Sequence, residues 1–211
     1  MKNEKIKNII FDLGDVILNI DVPLASLSFA ELSGREQAEI LTLFKEKDIF
    51  RQFETGHLTE AGFRDYVREL LVFPDWTDDM IDTAWNSLLL DLPPERIQLL
   101  KDLRKNYRLF LLSNTSSIHI TKVNQILEAA TGIKRLDDLF EKVFVSYEMG
   151  LMKPDPRIYS NLLEQAGLIA EETLFLDDNH DNIKGAQTLG IDTIHVQKPT
   201  TILEYLKDYA V

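Results

Sequence analysis

Five short runs along the chain are almost continuously apolar: Asn8 to Leu13 (NIIFDL), Tyr107 to Ser113 (YRLFLLS), Lys142 to Ser146 (KVFVS), Thr173 to Asp177 (TLFLD) and Ile191 to Val196 (IDTIHV). They are rich in β-branched and aromatic residues and lack the strict alternation of a half-exposed strand. That is the pattern of strands buried on both faces. Between the later runs the apolar period changes to that of a helix. Ile158, Leu162, Leu163 and Ala166 fall at helical spacing, Gly167 follows as a stop, and Asp155-Pro156 supplies an N-cap and a first helical residue. Strands alternating with helices predict an α/β fold built on a doubly wound parallel sheet.

The first gap breaks this rhythm. Roughly 90 residues separate the first run from the second, far more than one crossover helix needs. The stretch is rich in helix formers, with apolar positions at Ile40, Leu43, Phe44, Phe63, Val67 and Leu70, and it closes on Leu92-Pro93-Pro94-Glu95, a break followed by a helix start. The chain therefore reads as a core of residues 1–16 and 92–211 with a helical cap, residues 17–91, inserted after the first strand. Trp76, Trp85, Phe53 and Phe63 are read as the cap's own core, and Arg51 and Glu54 as a helix-face ion pair. Asn19 and Asp21, just past the first run, are read as a hinge turn or as contacts in the cleft. No internal repeat or low-complexity tract interrupts the pattern.

Composition narrows the partners. The 211 residues carry 23 basic and 35 acidic side chains, a net charge of −12, which repels nucleic acid and anionic membranes alike. No apolar run approaches the roughly 20 residues that a spanning helix requires. The N-terminus has neither a secretory nor a lipidation pattern. With no cysteine, disulfides and thiolate metal sites are excluded. A cytoplasmic protein without nucleic-acid or membrane partners is the resulting expectation; oligomeric state is not readable. A phosphorylated substrate would also be repelled unless the site supplies positive charge of its own.

Four candidate signals lie at or just beyond strand ends, where open parallel sheets bind ligands. Asp12, followed by Leu13, Gly14 and Asp15, is a candidate nucleophile or metal ligand, or part of a simple turn. Ser113-Asn114-Thr115-Ser116 can cradle phosphate at a helix N-terminus or merely cap that helix. Lys153 is held extended by Pro154 just before a helix, either as a counter-charge or as a solvated loop lysine. Asp177-Asp178 follows a buried run, where paired carboxylates suit a magnesium ion or the positive end of a helix. His57, His119, His180 and His195 show no metal spacing.

Together the four segments resemble the haloacid dehalogenase-like superfamily along the whole chain, with the first insertion similar to that family's helical cap. FDLGDVILNID, LLSNT, GLMKPDPRIY and FLDDNHDNIKGA look closest to bacterial sugar-phosphate phosphatases, glucose-1-phosphate phosphatases in particular. The resemblance implies a Rossmann-like core and a magnesium-dependent hydrolase acting on a small phosphorylated metabolite. It implies that Asp12 is the nucleophile, that Ser113, Asn114 and Lys153 bind phosphate, and that Asp12, the Gly14 carbonyl, Asp177 and Asp178 serve the metal. One departure stands out. The superfamily's phosphatases usually carry a general acid two residues after the nucleophile, and that position here is Gly14. A haloacid dehalogenase, a phosphoacceptor module resembling response-regulator receivers, and a catalytically inert binding module are the competing expectations.

Overall fold

The computed structural model describes residues 4–210, apart from the side chains of 46 and 47. Among them the strands β1 (Asn8–Phe11), β2 (Arg108–Ser113), β3 (Lys142–Val145), β4 (Thr173–Asp177) and β5 (Asp192–His195) form one parallel sheet in the order β3-β2-β1-β4-β5. The apolar runs divide their side chains between two faces with the period of two that a strand imposes. Ile9, Phe11, Leu109, Leu111, Leu174 and Leu176 face one layer. Ile10, Phe110, Leu112, Phe144 and Phe175 face the other.

Each face is covered by helices that carry the complementary stripe. The first layer takes α6 (Pro94–Leu103), α7 (Ser117–Thr131) and α11 (Ile202–Tyr205) through Ile97, Leu100, Val123, Leu127 and Ile202. The second takes α9 (Pro156–Ala166) and α10 (His180–Gln187) through Ile158, Tyr159, Leu162, Ile183 and Ala186. Asp155 caps α9 by accepting from Arg157 N, and Gly167 ends it in the left-handed region. Ser146, expected at the end of β3, instead opens the short helix α8 (Ser146–Met149).

Residues between β1 and α6 form a helical insert of α1 (Pro23–Ser33), α2 (Gln37–Lys47), α3 (Ile49–Glu54), α4 (Glu60–Leu71) and α5 (Asp78–Asn86). It has an apolar cluster of its own, centred on Phe29, Phe44, Phe53, Phe63, Trp76 and Trp85, with the Phe53 and Phe63 rings stacked at 4.3 Å. The insert joins the core through two antiparallel segments. Asn19 N donates to Asp91 O at 2.9 Å, Leu90 N to Asn19 O at 3.0 Å, and Asp21 N to Leu88 O at 2.9 Å. The side chain of Asn19 adds a 3.0 Å bond to Asp91 Oδ1. Asn19 and Asp21 thus belong to the connection.

Chain direction sets where a ligand can enter. From β1 the chain steps outward to β2 and β3, then returns across the sheet to β4 and β5. The reversal leaves a crevice at the carboxyl end of β1, between the loops that leave β1, β2 and β4. Phe11 pairs with Leu111 on one side and Leu176 on the other, so Asp12, Leu112 and Asp177 come level at that edge.

Candidate active site

Asp12 leaves the sheet with its backbone N–H still bonded to Leu176 O at 2.9 Å, which fixes the direction of its side chain. Lys153 approaches from the turn before α9, and its side chain is 1 % exposed. The ammonium donates to Asp12 Oδ1 at 2.7 Å, Asp177 Oδ2 at 2.7 Å and Leu112 O at 2.9 Å. All three protons are therefore used. Asn114 locks the lysine backbone, accepting from Lys153 N and donating to Lys153 O, both at 2.9 Å.

Asp177 is wholly buried and saturated. Besides Lys153 it accepts from Asn179 N at 2.8 Å, and its Oδ1 and Oδ2 both accept from Asn182 Nδ2, at 3.0 and 3.1 Å. Asn182 is itself set by Tyr159, whose hydroxyl donates to its carbonyl at 2.8 Å. Asp12 retains 12 % exposure of its side chain where Asp177 retains none, so of the two carboxylates paired with Lys153 it is Asp12 that an incoming molecule can reach. Asp178 is exposed, and His195 Nε2 donates to its backbone oxygen at 2.8 Å.

The electrostatics follow from this crowding. Burial pushes the Asp12 carboxyl upward, Lys153 pulls it back, and Asp177 adds to the rise. Burial acts to lower Lys153, but the carboxylates of Asp12 and Asp177 outweigh it and hold the lysine above its ordinary value. Asp178 is raised by burial and by the charge of Asp177. One ammonium thus serves three carboxylates, whose oxygens lie within 4.8 Å of one another. The surplus negative charge and the all-oxygen donor set fit a hard divalent cation. Magnesium satisfies both.

A cavity of about 620 Å³ lies between the strand ends and the insert, lined from the core by Gly14, Ser113 and Asn114 and from the insert by Phe50, Glu54 and Trp85. An adjoining cavity of about 710 Å³ shares Phe50 and Glu54 and reaches Lys153. Trp85 ties the insert to the core here. Its Nε1 donates to Ser116 Oγ at 3.1 Å, and its ring stacks on His119 at 4.5 Å. Burial pushes His119 down to about 3, and its Nδ1 donates to Asn86 Oδ1 at 3.0 Å. The ring is neutral.

The four sequence segments therefore converge. Asp12, Lys153 and Asp177 are in direct contact, Asp178 stands beside them, and Ser113 and Asn114 line the neighbouring chamber with Gly14. Asp15 does not join them. It adopts a left-handed backbone (φ 53°), accepts from Ile20 N at 3.3 Å and pairs with Lys198 at 2.8 Å. The Arg51–Glu54 ion pair does not form. Glu54 has no hydrogen-bond or ionic partner among the described residues, because the end of α3 turns it into the cleft. Two residues escape a reading of the sequence. Asn182 looks like any polar position in a helix first turn, although its place five residues after Asp177 is a usable signal. Glu54 is masked by the arginine three residues before it.

Comparison with known proteins agrees with this geometry. A D-ribitol-5-phosphate phosphatase of Bacteroides thetaiotaomicron is 31% identical over 188 residues, 89% of this chain and 90% of that protein. A crystal structure of a HAD family enzyme from the same organism, in complex with magnesium and inorganic phosphate, superposes with a TM-score of 0.87 at 37% identity, covering 95% of this chain and 98% of that one. A predicted HAD-like family hydrolase from Porphyromonas gingivalis gives a TM-score of 0.87 at 28% identity, covering 97% of both chains. The family model for haloacid dehalogenase-like hydrolases matches residues 6–190. With the Asp12 carboxylate at a strand end, its buried lysine and its acidic pair set around one crevice, the chain belongs to the haloacid dehalogenase-like hydrolases.

Proposed function

We propose that the protein is a magnesium-dependent phosphatase that hydrolyses small phosphate monoesters, sugar and polyol phosphates first among them, through an aspartyl-phosphate on Asp12. The observation that carries this reading is the Asp12 carboxylate, partly accessible and held 2.7 Å from the Lys153 ammonium beside a chamber lined by Ser113. The phosphatase-named relative and the magnesium–phosphate complex of the neighbouring structure support it. In this reading residues 17–91 act as a cap that encloses the ester, and 1–16 with 92–211 supply the chemistry.

Asp12 attacks phosphorus, the bond to the ester oxygen breaks, and water later cleaves the aspartyl-phosphate to restore the carboxylate. Lys153 neutralises charge on Asp12 and on the incoming phosphoryl oxygens, while Asp177 and Leu112 O keep it from swinging away. Ser113 and the Asn114 N–H hold the remaining oxygens. Asp12, the Gly14 carbonyl and Asp178 would hold magnesium, with Asp177 behind them. When bound, the ion supplies charge neutralisation between nucleophile and substrate. Among the described residues lining the chamber there is no arginine to grip a haloacid carboxylate.

The test is phosphate release from a panel of phosphorylated sugars, polyols and simple aryl phosphates. Activity is expected with magnesium, abolished by EDTA and restored by adding the metal back; Asp12→Asn should remove it. Halide release from 2-haloacids, or a stable phosphoprotein without turnover, would overturn the assignment.

A further inference from the structure

The mechanism just described leaves the departing alkoxide without a proton, and the chain is built so that position 14 does not provide one. A Cβ placed on Gly14 would lie 2.7 Å from Ile20 Cδ1. The side chain of Ile20 thus crowds the space where an acid two residues after the nucleophile would begin. The next residue, Asp15, is turned away and committed to Ile20 N and Lys198.

The chamber wall opposite offers one candidate. Glu54 closes α3 of the insert and is the one carboxylate among the described residues lining the chamber that also holds Gly14 and Ser113. It is partly buried, shares the chamber wall with Leu41, Phe50 and Trp85, and has no hydrogen bond or ion pair to any described residue. An unpartnered carboxylate in apolar surroundings is expensive, and nothing in the packing of the insert requires it. The other titratable groups facing it are His119 and Lys153 and, at the outer rim, Lys45, Asp48, Arg51 and Asp155. Neither inner group can donate a proton near neutrality. His119 is neutral, and Lys153 holds its three protons on Asp12, Asp177 and Leu112 O. Burial pushes the Glu54 carboxyl up to about 7, where donor and acceptor forms are both populated.

Building on the phosphatase reading, we propose that Glu54, carried by the insert, is the general acid and base of the reaction, in place of the residue missing at position 14. In the first step Asp12 Oδ forms its bond to phosphorus and the phosphorus–ester oxygen bond breaks. The electron pair stays on that oxygen, which takes the proton of Glu54 and leaves as the alcohol. In the second step the Glu54 carboxylate accepts a proton from the water that attacks phosphorus. The bond from phosphorus to Asp12 breaks, releasing phosphate and leaving Glu54 protonated as it began.

The experiment compares wild type, Glu54→Gln and Glu54→Ala on alkyl phosphates and p-nitrophenyl phosphate, with magnesium present. The readout is kcat/KM, which reports only the steps up to loss of the leaving group. Glu54→Gln keeps the size of the side chain, and its thermal midpoint and inhibition by inorganic phosphate confirm an intact fold and phosphate site. The expected result is a loss of about 10²–10⁴-fold for alkyl esters and of no more than about tenfold for p-nitrophenyl phosphate, whose leaving group needs no proton. A burst of p-nitrophenol should also appear as the phosphoenzyme accumulates. An equal loss on both ester classes, a rise in KM alone or no loss at all would overturn the role of Glu54 while leaving the phosphatase reading intact. Wild type inactive on every ester would overturn both.

Discussion

Lys153 and Glu54 show how differently two charged side chains fare when a chain folds around them. Lys153 is surrounded by acceptors and stays charged; Glu54 faces mostly apolar neighbours and is pushed toward its neutral form. The latter has a consequence for stability. With the Glu54 carboxyl raised from its ordinary 4.5 to about 7, the folded chain binds more protons than the unfolded chain between those values. Stability therefore falls as pH rises through this window and stays reduced above it. Glu54→Gln removes that titration. The variant should be more stable than wild type at pH 8 by about 1–3 kcal/mol, with the gap closing near pH 4.5. Thermal melts at both pH values check this, and an equal difference at both would contradict it. Asp12 and the Asp177-Asp178 pair are legible in the sequence because each ends or follows a buried strand, where a charge has to be explained, and Lys153 because Pro154 holds it extended just before a helix. Glu54 is not, because its isolation depends on the angle at which α3 meets the core.

At the scale of elements, the insert is fixed to the core at a few tight contacts. Besides the Asn19–Asp91 connection and the Trp85–Ser116 bond, the turn after α3 lies hard against the core at Tyr147. Gly56 there has φ +73°, and a Cβ would sit 2.2 Å from Tyr147 O. Gly56→Ala is expected to cost at least about 1–2 kcal/mol from the left-handed backbone alone. It should also lower activity, because the turn that lifts off Tyr147 carries Glu54 two residues away. Melting and kcat/KM measured together check both; an unchanged kcat/KM would separate the turn from the site. The helices and strands themselves are readable from apolar period and capping residues, as Asp155 and Gly167 show at the two ends of α9. What pairs with what is not. The order β3-β2-β1-β4-β5 and the seating of α3 on α8 depend on contacts between residues far apart in the chain, which no local pattern records.

Across the whole molecule, a net charge of −12 surrounds a crevice that is expected to admit a dianion. Association must work against this far field, with Lys153 and a bound cation acting only at short range. Raising ionic strength from about 10 to about 150 mM should therefore lower KM for a phosphate ester by about two- to threefold. Initial-rate kinetics in sodium chloride test this, and a KM that rises with salt would show that the local field dominates. Among the described residues no helix is long and apolar enough to cross a membrane.

Ile20 belongs at once to the strand-like link with Leu89 and to the floor beside Gly14. The joint on which the insert is mounted is thus also part of the wall beside Gly14. An aspartate placed at 14 would therefore press on the link that carries the insert, and the Ile20 Cδ1 methyl would have to rotate aside to admit it.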